Sequence, residues 1–81
     1  MPQLDVLLFA SYADAFGAPS LTVEMPPDAT VADLVTALRS RPGGSVLPER
    51  PLVAVDRAYA APGDRVVDRG EVALIPPVAG G

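Results

Sequence analysis

Cysteine, histidine, lysine and tryptophan are all missing from the 81 residues. Without cysteine and histidine there is no disulfide, no thiolate nucleophile, no imidazole base and no usual zinc ligand, so metal sites are not expected. All six cations are arginines, at 39, 41, 50, 57, 65 and 69. With no lysine the only primary amine is the N-terminus, and the chain's own side chains cannot accept an isopeptide. Any chemistry must therefore be carried by something other than these groups. Long apolar runs are also lacking, since no stretch approaches the ~20 residues that cross a bilayer. The N-terminus carries no cation, and Asp5 interrupts the run a signal peptide needs, so the expected location is cytoplasmic, with no membrane partner. Basic clusters are absent too. A net charge of -4 and a pI near 4.4 argue against nucleic acid, which requires a concentrated positive surface, and favour a basic protein partner.

What remains is small and greasy. At 8.3 kDa the surface scalings allow burial of about 60% of the extended chain's area, one modest core and no second domain. Yet 49% of residues are apolar, an excess that suggests surface reserved for a partner.

Residues 3–9 read as a strand with Leu4, Val6 and Leu8 on one face and Asp5, Leu7 and Phe9 on the other. Residues 10–16 read as a short helix ended by Gly17, with Tyr12 and Phe16 one turn apart. Residues 20–25 alternate as a half-exposed strand antiparallel to the first, Leu21, Val23 and Met25 pointing inward. Thr30 and Asp33 make a weak capping box for a helix of about ten residues starting at Val31. Its stripe is Val31, Leu34, Val35 and Leu38. Pro42 and Gly43-Gly44 end it, and 45–51 reads as a surface connection. Further strands are expected at 52–55, at 58–60 and at 71–75, with turns at 62–64 and 68–70. Tyr12, Phe16 and Tyr59 are expected to pack in the core or at its rim. The aspartates at 14, 28, 56, 64 and 68 suit turn bonding better than cation binding. The fold class is α+β, one mixed sheet packed on one main helix, with the first and last strands central and three strands wrapped on the helical stripe. One helix covers one face of the sheet. Leu7, Phe9 and Ile75 are thus the expected apolar docking patch on the other.

Residues 1–75 form the expected domain and 76–81 an extended tail. Pro76-Pro77 has no N–H to give a ladder and favours a stiff exit. Six residues reach at most about 20 Å. Val78 and Ala79 are small, and Gly80-Gly81 has no side-chain bulk, so the terminal carboxylate can enter a partner's narrow cleft.

Val6 to Ala10 with its short helix, Val55 to Tyr59, and above all the block from Asp68 through Pro76-Pro77 to Gly80-Gly81 resemble the small subunits of molybdopterin synthase, along essentially the whole chain. Ala13-Asp14 stands where that family is expected to carry Arg-Glu. The resemblance implies a ubiquitin-like β-grasp fold and the role of a sulfur carrier, a non-catalytic subunit or co-substrate with no bound cofactor. A ubiquitin-activating-type enzyme would use ATP to adenylate Gly81, and a persulfide donor would convert it to a thiocarboxylate. The large synthase subunit would accept Pro77, Val78, Ala79 and Gly80 in a cleft and use the sulfur for the dithiolene of molybdopterin. Alternatives are a carrier for thiazole or tRNA thiolation, a ubiquitin-like protein modifier, and a plain β-grasp binding module.

Overall fold

The computed structural model describes residues 2–67 and 70–76. The tail residues Pro77, Val78, Ala79, Gly80 and Gly81, and Asp68 and Arg69 of the expected 68–70 turn, lie outside the described residues.

Strand β1 (Gln3–Leu8) is followed by helix α1 (Ala10–Phe16), β2 (Ser20–Glu24), helix α2 (Val31–Arg39), a 3-10 turn at Gly44–Val46, β3 (Leu52–Val55), β4 (Ala58–Tyr59) and β5 (Val72–Ile75). The sheet order is β2-β1-β5-β3-β4, with β1 and β5 parallel and all other pairs antiparallel. Both doubly apolar strands therefore have neighbours on each side, as their composition predicts. α1 ends at Gly17, whose φ of 76° is the left-handed geometry that glycine adopts without steric cost.

α2 starts on a complete capping box. Thr30 Oγ1 accepts from the Asp33 backbone N–H, and Asp33 Oδ2 accepts from the Thr30 N–H. The other first-turn donors are served by a distant loop and by the cap. The Val31 N–H donates to the Asp64 carbonyl at 2.8 Å, that of Ala32 to Pro62 at 3.0 Å, and that of Leu34 to Thr30 at 3.0 Å. Residues 60–67 thus do more than turn. They cap the main helix, and the aspartate at 64 braces the loop by accepting from the Ala61 N–H.

Val31, Leu34, Val35 and Leu38 are buried together with Leu4, Val6 and Leu8 of β1, Val23 of β2, Val53 of β3, and Val72 and Leu74 of β5. Four strands rather than three contribute to this core. Leu21 is only partly buried, because β2 is an edge strand.

Two other expectations are corrected, for the 45–51 connection and for Tyr59, and the core gains two valines that the sequence reading leaves unplaced. The 45–51 connection is not wholly superficial, since Leu47 is buried in the core after the 3-10 turn. Val66 and Val67 are core residues, drawn in by the hydrogen bonds that tie their loop to α2. Tyr12 is buried and Phe16 packs against the core, but Tyr59 is 74% exposed: β4 is a two-residue edge strand, and its outward position has nothing above it.

Gly43 and Gly44 also do more than terminate α2. A Cβ on Gly44 would collide with the Leu38 carbonyl, and one on Gly43 with the Ala15 carbonyl. The pair lets the chain pass closely between the end of α2 and the end of α1.

Candidate functional site: the uncovered face of the sheet

The face turned away from α2 is divided by composition. Toward β2 it is polar, where Asp5 lies opposite Thr22, whose Oγ1 donates to Asp5 Oδ1 at 3.0 Å, and Leu7 lies opposite Ser20. Toward β3 and β4 it is apolar. The register places Leu7 opposite Ala73, Ala73 opposite Ala54, and Ala54 opposite Tyr59, a single row across four strands. Ile75 lies opposite Leu52 in the next row. Phe9, one residue beyond β1, is 47% exposed and Leu52 46%.

Small side chains in the middle and large ones around them make the surface concave. Ala54 and Ala73 floor a hollow of about 340 Å³, walled by Phe9, Ile75 and Tyr59, with Arg57 and Glu71 also lining it. The expected docking residues are therefore brought together in part. Phe9 and Ile75 share the hollow, and Leu7 flanks it through its register with Ala73. Leu52, Ala54, Tyr59, Arg57, Ala73 and Glu71 belong to the same surface and were not anticipated. The alternation of β3, with Leu52 and Ala54 outward against buried Val53, is the signal that could have found two of them.

The last strand ends at the wall of this hollow. Ile75 is the last residue of β5, so the chain leaves the sheet at the apolar face.

The Asp56-Arg57 turn is held at this edge. Asp56 and Arg57 have φ of 52° and 70°, both positive as a two-residue type I′ hairpin requires. Asp56 is bonded twice to the start of β5: its N–H donates to the Glu71 carbonyl at 2.8 Å, and its Oδ1 accepts from the Glu71 N–H at 2.8 Å. Among the described residues no three of His, Cys, Asp and Glu converge as a metal site, and no helix is long and apolar enough to cross a membrane.

The model of the ThiS family matches residues 6–81. This chain belongs to the ThiS family. Among curated proteins the ThiS-family chain is 34% identical over 84 residues to a molybdopterin synthase sulfur carrier subunit of Caenorhabditis briggsae, spanning 100% of both. A human protein of the same name is 34% identical over 83 residues, which cover 98% of this chain and 94% of that one. Among solved structures, small archaeal modifier protein 1 of Haloferax volcanii superposes with a TM-score of 0.82 at 29% identity, covering 96% of this chain and 100% of that one. The ubiquitin-like β-grasp fold of this ThiS-family chain is that of its neighbours.

Proposed function

We propose that the chain is the sulfur carrier subunit of a molybdopterin synthase, acting through the carboxylate of Gly81. The observation that carries this reading is the end-to-end likeness, about one residue in three, to curated subunits of that name. A carboxylate is a poor acyl donor until a good leaving group is attached. An adenylating enzyme of the ubiquitin-activating type joins it to the α-phosphorus of ATP with loss of pyrophosphate. The terminal sulfur of a protein persulfide then displaces AMP, and a thiol cleaves the acyl disulfide to leave a thiocarboxylate. This soft anionic sulfur attacks the pterin precursor in the large subunit, where the bound tail gives it a high effective concentration. The chain supplies the sulfur and the docking face; turnover belongs to its partners, and the setting is cytoplasmic.

Intact mass spectrometry tests this directly. Incubation with the activating enzyme, ATP and a persulfide donor is expected to replace one oxygen by sulfur at Gly81. Deleting Gly80 and Gly81 should abolish the gain and all synthase activity. An unmodified mass in the full-length chain would refute the proposal.

The likeness to an archaeal modifier favours a second reading, in which Gly81 is joined to a lysine of another protein. The same reaction in a lysate would then give an isopeptide conjugate. A carrier for thiazole or tRNA thiolation would give the thiocarboxylate but no molybdopterin with the large subunit.

A further inference from the structure

The β3–β4 turn presents a contradiction between conformation and residue type. A type I′ turn places both central residues at positive φ, where glycine fits freely and a side chain with a Cβ is strained. Here the second position, at φ 70°, is occupied by arginine. For Asp56 the strain is offset within the chain, through its two hydrogen bonds to Glu71. Among the described residues Arg57 has no hydrogen bond of its own that does the same. Arg65 donates to the Pro27 carbonyl and Arg41 to the Thr22 carbonyl, but the Arg57 guanidinium donates to no described group. It lines the hollow of the uncovered face beside Tyr59 and Ile75, and Glu71 lines the same hollow.

We propose that Arg57 is a specificity determinant of this docking face, held in a strained turn so that its guanidinium meets a carboxylate on the partner that occupies the hollow. The inference rests on the carrier reading, in which that partner is the large synthase subunit. Backbone strain of this kind clusters at binding and active sites, where the surrounding structure holds it in place. The chemistry of the group sets the complement: a planar fork of donors reads a carboxylate in two-point fashion, whereas a general attraction would not need it. The chain as a whole, at -4, draws basic partners. Arg57 adds a local exception, rejecting a partner that lacks an acid at that place.

The experiment compares the full chain with Arg57→Gly and Arg57→Glu, measuring Tm and the Kd for the large subunit of molybdopterin synthase at low and high salt. Arg57→Gly is expected to raise Tm while weakening binding by about tenfold and flattening its salt dependence; Arg57→Glu should weaken it further. Binding and salt dependence unchanged in Arg57→Gly would overturn the inference while leaving the carrier reading intact. So would a Tm that stays level or falls, since the turn would then hold no strain to explain. A wild-type chain that fails to bind the large subunit refutes the carrier reading and this inference with it.

Discussion

Tyr12 joins α1 to the core at the cost of moving a phenol out of water. It is 3% exposed, and burial pushes its pKa above the ordinary value of 10.0, because the anion would lose its solvation. A group whose pKa is higher in the folded than in the unfolded state favours folding fully below the unfolded value, and this contribution is lost as pH rises through the folded one. The part of the stability that Tyr12 contributes should therefore hold to about pH 10 and be lost above it. Tyr12→Phe should remove that part of the alkaline loss, as read by denaturant midpoints across the pH series. A phenylalanine curve that declines as steeply as the tyrosine one would place the alkaline instability elsewhere.

Among the elements, α2 depends on what surrounds its two ends. Its C-terminal exit at Gly44 leaves no room for a side chain, since a Cβ there meets the backbone carbonyl of Leu38, which cannot swing aside. Gly44→Ala is expected to destabilise the domain by about 1–3 kcal/mol, the range for forced overpacking, in thermal or urea unfolding. A neutral result would mean that the glycine pair is only a flexible exit. Legibility from sequence followed the same division. Val31, Leu34, Val35 and Leu38 repeat with the helical period, and Thr30 and Asp33 sit at capping distance, so α2 could be placed to within a residue. Leu47, Val66 and Val67 carry no period, since each is one or two apolar residues inside an irregular segment, and only tertiary hydrogen bonds and packing bury them. Tyr59 failed for the opposite reason. In a two-residue strand there is no alternation from which to read a face.

At the scale of the whole molecule, the site was legible at its ends and not in its middle. Leu7, Phe9 and Ile75 stand out because β1 and β5 are apolar on both faces, more than one helix can cover. Ala54 and Ala73 give no signal of their own, and they matter as the low floor between larger neighbours. The concave face and the stability of the domain should separate experimentally. Phe9 is half exposed and precedes α1 as its N-cap residue, with no side-chain cap of its own. Phe9→Asp should therefore leave Tm unchanged or slightly raised, a polar side chain being favoured there, while co-purification with the large subunit is lost. Loss of folding in this variant would mean that Phe9 supports the core instead.

The order of the strands has one more consequence. β2-β1 and β3-β4 are each two-stranded ribbons, marginal alone in water, and only β5 unites them. The last strand in the described sequence is thus also the one that completes the sheet. A nascent chain halted before Val72 cannot assemble the concave face, whose floor and wall include Ala73 and Ile75. On the carrier reading proposed above, the recognition face and the residues that follow it are thus completed together, by the last strand to be synthesised.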